Sequence, residues 1–198
     1  MRLQRYQSFV KILENSNGEK LYHGNRKGDF PPEKRRFAGA IFLTSNLAFA
    51  RDFAGFDESD QFPDGAVFEV TLKPGLKICD LMEPKVMVEL GLEDLIKHMV
   101  DQGYVDPTSG TKFNKITGKG FKGFDPATGK VFDIDEPHQS ANHYLWRVKN
   151  GAWRVIECEP VVRRIREKGY DGFSVMERGS RNVAIFDEAS IQSYNKIK

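Results

Sequence analysis

The sequence lacks the features of several protein classes. Its two cysteines, Cys79 and Cys158, are too few for a disulfide scaffold and lack the spacing of metal ligands. No apolar run approaches the ~20 residues that a membrane-spanning helix requires. Residues 1–11 alternate charged and apolar side chains, unlike the apolar core of a signal peptide. These absences predict a cytoplasmic chain with reduced thiols, no metal ion and no membrane contact.

What the sequence does contain is typical of a globular protein. The chain has 198 residues, of which 39% are hydrophobic and 29% charged, and this length predicts one domain over 1–198. The net charge of +2 neither requires nor excludes a nucleic-acid partner.

Hydrophobic periodicity predicts short strands alternating with helices and no regular βαβ repeat, which indicates an α+β fold. Helices are predicted over 3–13, 46–53, 86–100, 138–148 and 159–168, and strands over 20–23, 38–44, 66–72, 76–81, 152–156, 173–176, 183–186 and 191–197. Residues 101–150 are interrupted by glycine and proline, so this segment is predicted to be an insertion.

Three segments carry residues suited to binding a nucleotide. The first, 21–24, ends a strand with His23-Gly24, and glycine lets a backbone approach a ligand closely. The second, 40–45, places Phe42 on a strand that leads into a helix carrying Phe53. The third, 181–187, begins a late strand with Arg181-Asn182. Taken singly, each is explained as well by a turn, core aromatics or a buried strand.

In their order along the chain, the three segments resemble the ADP-ribosyltransferase superfamily of the poly(ADP-ribose) polymerase and diphtheria toxin type. That family has a His-Gly on its first core strand, matched by His23-Gly24, and an aromatic on its second strand, matched by Phe42. Its second stacking aromatic corresponds to Phe53, and its strand-opening glutamate to Asn182. The motif Gly-Tyr-Asp-Gly-Phe at 169–173 is similar to that of phage and mobile-element members.

The resemblance implies a split mixed or antiparallel β-sheet core with flanking helices, and an enzyme that transfers ADP-ribose from NAD and releases nicotinamide. It implies that NAD is held by a set of strand and helix residues: His23, Gly24, Phe42, Thr44, Ser45 and Phe53. Within that set, Gly24 would bind the carboxamide, the two phenylalanines would stack on the ring, and His23 would bind the adenosine-side ribose. Cleavage of this glycosidic bond proceeds through an oxocarbenium-like transition state.

Two departures from the family pattern affect the predicted catalytic set of His23, Phe42, Asn182 and Glu177. Phe42 lacks the hydroxyl of the family tyrosine. Asn182 forms hydrogen bonds but carries no charge, so Glu177 or Asp187 is a candidate to supply a carboxylate. Transfer of a single ADP-ribose unit is therefore favoured over polymer synthesis.

Lysines interleaved with aromatics in the insertion predict a surface for the acceptor, since this pattern suits single-stranded nucleic acid. The residues are Lys112, Lys115, Lys119, Phe121 and Lys122, with Phe113 among them and Phe124 after them. RNA, DNA and protein remain open as acceptors. Small relatives act as toxins or phage effectors, which implies an antitoxin or inhibitor protein as a partner and a role in toxin–antitoxin systems or phage defence.

Two other functions fit the same residues. One is a catalytically silent module that binds nucleic acid or protein. The other is a small ribonuclease toxin that uses His23, His138 or His143 as acid and base.

Overall fold

The computed structural model describes residues 20–32, 39–56, 61–114, 122–125, 130–133, 137–177 and 179–197. The helix predicted over 3–13 lies outside these ranges. The chain divides into two compact units, Met1–Cys79 with Gly169–Lys198, and Asp80–Lys168. The α+β class is confirmed, whereas the ADP-ribosyltransferase architecture and the single domain with an insertion stay predictions.

The elements are numbered in chain order. The strands are β1 (Leu21–Asn25), β2 (Ile41–Thr44), β3 (Ala66–Leu72), β4 (Ile78–Asp80), β5 (Lys122–Asp125), β6 (Lys130–Asp133), β7 (Gly172–Glu177), β8 (Ser180–Ile185) and β9 (Ile191–Lys196). The helices are α1 (Leu47–Ala54), α2 (Pro84–Glu89), α3 (Leu92–Asp101), α4 (Pro137–Lys149), α5 (Trp153–Ile156) and α6 (Glu159–Glu167).

A seven-stranded sheet forms the first unit, with the strand order β4-β7-β8-β2-β1-β3-β9. The pairs β1–β2, β1–β3, β2–β8, β3–β9 and β7–β8 are antiparallel. The strands predicted near 20–23, 38–44, 66–72, 76–81, 173–176, 183–186 and 191–197 are confirmed, and β9 lies at the sheet edge.

Side-chain alternation gives the sheet two different faces. One face carries a core of buried apolar residues: Leu21, Ile41, Leu43, Phe68, Val70, Val183 and Ile185. Against the other face packs α1, whose Ala50 and Ala54 are buried with Val67. Asn46 caps this helix by accepting hydrogen bonds from two backbone N–H groups, and Gly55, at φ 75°, ends it. The helix predicted over 46–53 is confirmed.

The second unit is helical, with a two-stranded sheet of β5 and β6. The single helix predicted over 86–100 is wrong, because Gly91 adopts a left-handed φ of 59° and separates α2 from α3. The strand predicted over 152–156 is also wrong, since Trp153–Ile156 form a helical turn. The helices predicted over 138–148 and 159–168 are confirmed.

Asp106 is fully buried in the second unit and ties its loops together. Its carboxylate accepts hydrogen bonds from the backbone N–H groups of Thr108, Ser109 and Glu159, and from the Tyr104 hydroxyl at 3.4 Å. Burial raises the pKa of Asp106, but these hydrogen bonds outweigh burial and the net pKa is lowered. The ionised carboxylate therefore anchors the start of α6.

None of the helices in the described ranges is long and apolar enough to cross a membrane.

Candidate active site

Strands β1 and β2 pair at one position and then separate. Among the described residues of β1 and β2, Tyr22 and Thr44 are the one pair that lies directly opposite. Strand β1 nevertheless stays paired with β3 as far as Asn25. Ser45 donates its N–H to the Arg181 carbonyl of β8 at 3.0 Å. In an antiparallel sheet, successive residues direct their backbone N–H and C=O groups to the two neighbouring strands in turn. Ser45 bonds to β8, so Thr44 and Phe42 direct their backbone groups towards β1.

The same alternation orients Gly24. Tyr22 faces Thr44, so Gly24, two residues further along β1, turns its N–H and C=O towards β2 where β2 has separated. We call the space between Gly24 and Phe42 the β1–β2 gap. A backbone donor and acceptor side by side match the two polar atoms of a carboxamide.

His23 is held at the border of this gap. Its Nδ1 lies 2.7 Å from the Phe42 carbonyl oxygen, and its ring packs 5.0 Å from the Phe30 ring, centroid to centroid. Burial lowers the pKa of His23, and the Phe42 carbonyl and the charge of Asp29 only partly offset this. Because a carbonyl only accepts, Nδ1 carries the proton, and the neutral ring presents Nε2 as an acceptor.

Gly24 also has a packing role that the sequence did not reveal. A Cβ atom at this position would lie 1.8 Å from the Ala50 carbonyl oxygen and 3.0 Å from the Ala54 nitrogen, both in the backbone of α1. Glycine is therefore required for α1 to approach β1. This helix carries Phe53, so the contact also determines where that aromatic ring lies.

Neither predicted stacking aromatic belongs to the core, which weakens the explanation of these rings as packing alone. The Phe53 side chain is 49% exposed, and Phe42 is half-buried. Phe49 contacts Phe53 edge to face, with ring centroids 5.0 Å apart and an interplanar angle of 87°. The sandwich of Phe42 and Phe53 around a ligand stays a prediction.

Asn182 lies one strand beyond β2 and is 3% exposed. It is paired with Thr44 on β2 and with Val175 on β7, so its side chain shares a face of the sheet with Tyr22 and Thr44. Its Nδ2 donates to Glu177 Oε2 at 2.8 Å. Its buried Oδ1 has no hydrogen-bond partner among the described residues. An unpartnered buried acceptor costs stability, so Oδ1 has capacity left for a hydrogen bond.

Of the two carboxylates named from the sequence, Glu177 is the one that lies against Asn182. Asp187 is at the opposite end of β8, where it accepts a hydrogen bond from the Ala189 N–H and caps a short 3-10 turn. Of these two candidates, Glu177 is therefore the one whose carboxylate contacts Asn182; that either supplies charge to a substrate stays a prediction.

Three further side chains complete the polar surroundings of Asn182. Thr44 is buried, and its Oγ1 accepts the Asn46 N–H at 3.2 Å. Asn46 Nδ2 donates to Ser180 Oγ at 2.9 Å. The sequence offers Ser45 or Asn46 as the cap of the helix that follows, and the structure shows that Asn46 is the cap. The sequence does not reveal this second bond, nor Ser180, which lies two residues from Asn182 and therefore on the same face of β8.

The predicted acceptor residues belong to the second unit. Lys112 is exposed, but Phe113 is fully buried and packs 4.7 Å from the Tyr144 ring, so the expectation that Phe113 stacks on a base is wrong. Lys115, Lys119 and Phe121 lie outside the described residues. Lys122 begins β5, but its side chain is also outside the description, as are those of Phe124 and His138.

The structure thus brings His23, Gly24, Phe42, Thr44 and Asn182 onto three adjacent strands of the first unit, with Ser45 at the end of β2. In the described parts of the chain, no three His, Cys, Asp or Glu side chains form a group that could hold a metal ion. Comparisons with protein-family models, curated proteins and solved structures give no match to this chain.

Proposed function

We propose that the protein is a mono-ADP-ribosyltransferase that uses NAD as its co-substrate, with the chemistry carried by the first unit. The observation that supports this most strongly is the β1–β2 gap, bordered by Gly24 and His23. Beside it stands the Asn182 oxygen on β8, which has no hydrogen-bond partner among the described residues. A dinucleotide with a carboxamide at one end and ribose hydroxyls along it offers the complementary groups.

Each group has a role in this proposal. The N–H and C=O of Gly24 bind the nicotinamide carboxamide, and the rings of Phe42 and Phe53 stack on the pyridinium, a contact worth about 0.5–1.5 kcal/mol beyond burial. His23 Nε2 accepts a hydrogen bond from the adenosine-side ribose. Asn182 Oδ1 accepts one from a hydroxyl of the nicotinamide-side ribose. Polar groups fixed before the substrate arrives stabilise charge that develops in the transition state.

The bond between ribose C1′ and the nicotinamide nitrogen breaks, and its electron pair leaves with nicotinamide, which becomes neutral. The acceptor's nucleophile forms the new bond to C1′, and its proton passes to solvent water. Because Asn182 is uncharged, the site stabilises the cationic ribose less than a glutamate would. This favours one transfer to a reactive acceptor. The toxin role and the antitoxin partner rest on the family resemblance alone.

The test incubates the protein with labelled NAD and separate pools of cellular RNA, DNA and protein, and measures both label transfer and nicotinamide release. His23→Ala and Asn182→Ala should abolish both signals. The matched controls are His98→Ala and Asn195→Ala, which replace exposed residues of the same types outside the site.

Label in one pool that both site variants lose, and both controls keep, supports the transferase and identifies the acceptor class. If wild-type protein releases no nicotinamide and labels no pool, the proposal fails and a silent binding module remains. RNA cleavage without NAD would instead establish the ribonuclease.

A further inference from the structure

We infer that Glu177 is a positioning residue, which orients and polarises the Asn182 amide so that its oxygen faces the substrate. The inference rests on the proposed function and adds to it a two-residue unit: Asn182 contacts the substrate, and Glu177 acts through Asn182.

The β7–β8 hairpin brings the two side chains together. Glu177 is opposite Ser180 in the antiparallel register, and Val175 is opposite Asn182. Glu177 and Asn182 are therefore diagonal neighbours on the same face of the sheet, within reach of long side chains. The distance of 2.8 Å between Nδ2 and Oε2 is that of a charge-assisted hydrogen bond.

This contact decides which end of the Asn182 amide is presented. An asparagine side chain offers a donor at one end and an acceptor at the other, and a rotation of 180° exchanges them. An ionised carboxylate only accepts, so Glu177 binds Nδ2 and leaves Oδ1 directed elsewhere. Oδ1 is buried and has no hydrogen-bond partner among the described residues. The orientation that satisfies Glu177 is thus the one that offers an acceptor to a hydroxyl.

The carboxylate also changes the chemistry of that acceptor. A hydrogen bond from Nδ2 to a negative group draws the amide electrons towards Oδ1, and in a buried site such polarisation along a chain of hydrogen bonds is strengthened. The amide stays neutral, so the pair does not replace the charge of a strand-opening glutamate, but the carboxylate on the adjacent strand makes Oδ1 a stronger acceptor than it would be alone.

The experiment reverses the polarity of the pair. Four variants are compared with wild type for nicotinamide release from NAD: Glu177→Ala, Glu177→Gln, Asn182→Asp and the double variant Glu177→Gln/Asn182→Asp. In Asn182→Asp two carboxylates face each other. In the double variant the glutamine amide introduced on β7 donates to the carboxylate introduced on β8, which restores the hydrogen bond. Glu89→Gln on the exposed surface of α2 is the matched control.

We expect Glu177→Ala to lower kcat about 10–100-fold, the usual range for a residue that positions a functional group. KM for NAD should change by less than about twofold, because Glu177 contacts no substrate atom. Glu177→Gln keeps an acceptor for Nδ2 and should lose less. Asn182→Asp should be nearly inactive, and the double variant should regain at least about tenfold over it. Glu89→Gln should match wild type.

Thermal unfolding of every variant shows whether a loss of activity results from a loss of the fold. If the effects of the two single changes multiply in the double variant, the pair is not coupled and the inference is wrong. If Glu177→Ala changes only KM, or keeps the wild-type kcat, the positioning role is also wrong. The proposed transferase activity is not affected by that result. A wild-type protein that releases no nicotinamide overturns the proposed function and this role with it.

Discussion

Gly24→Ala should destabilise the first unit by about 3 kcal/mol, at the upper end of the cost of inserting a methyl group into packed structure. The added Cβ would meet the Ala50 carbonyl oxygen at 1.8 Å and the Ala50 carbonyl carbon at 2.8 Å. These are backbone atoms of α1, so no side-chain rotation relieves the contact, and the helix must retreat by more than about 1 Å to bring the Cβ–oxygen distance above 3.0 Å. A gap of about 1 Å already forfeits up to about half of the dispersion energy across the contact. The contacts weakened are those of Ala50 and Ala54 with Val67.

The measurement is chemical denaturation followed by far-UV circular dichroism. Fluorescence is less suitable, because Trp146 and Trp153 both belong to the second unit. The control is Gly75→Ala, where the added Cβ would meet no atom of the described residues within 4 Å beyond its chain neighbours, but where φ is 81°. That change should cost only the left-handed strain of about 1 kcal/mol. If Gly24→Ala costs no more than Gly75→Ala, the close approach of α1 to β1 is wrong.

Three further predictions concern other parts of the molecule. Asp106→Ala should lower the unfolding free energy of the second unit by about 3–5 kcal/mol, because buried N–H groups lose their acceptor; tryptophan fluorescence in urea measures this. The lowered pKa of Asp106 means that its contribution is complete above the unfolded value of 3.8 and is lost as the pH falls through the folded value. His23 should titrate below pH 6.5 by NMR, because burial disfavours its charged form. NAD affinity should stay constant until the pH falls through that lowered pKa, where Nε2 gains a proton and is no longer the acceptor that the proposed ribose contact uses. Cys79 and Cys158 should resist iodoacetamide in the native protein, because both are fully buried and burial raises the pKa of Cys158 to about 12.

Each of these has a clear contradicting result. Asp106→Ala with unchanged urea unfolding would show that the carboxylate does not anchor α6. A His23 titration above pH 6.5 would place the ring in solvent or beside a stronger negative charge. Rapid alkylation of either thiol in the native state would contradict its burial.

The local signals in the sequence predicted much of the fold. The alternation over 66–72 matches β3 residue for residue, and Asn46 caps α1 as its position before an apolar periodic segment predicts. The errors have equally local causes. Val155 and Ile156 form an apolar run too short to distinguish a strand from a helical turn. The helical spacing of apolar residues continues across Gly91, although this glycine adopts φ 59° and divides the helix.

The site was less predictable, because it depends on pairings between distant strands. The residues His23, Gly24, Phe42 and Asn182 were named from their motifs alone. The motifs do not reveal that β1 and β2 separate after Tyr22. This separation follows from the register of strands that are far apart in the chain. The contact of Glu177 with Asn182 likewise depends on the register of the β7–β8 hairpin. A hairpin shifted by one residue would place the two side chains on opposite faces.

The most direct test of the central claim is an NMR titration of ¹⁵N-labelled protein with NAD. We expect the backbone amide of Gly24 and the side-chain amide of Asn182 to shift together with one dissociation constant. Asn182→Ala should weaken binding while leaving the Gly24 shift in place at saturation. Shifts confined to other residues, or none at NAD concentrations in the millimolar range, would contradict a nicotinamide site in the β1–β2 gap.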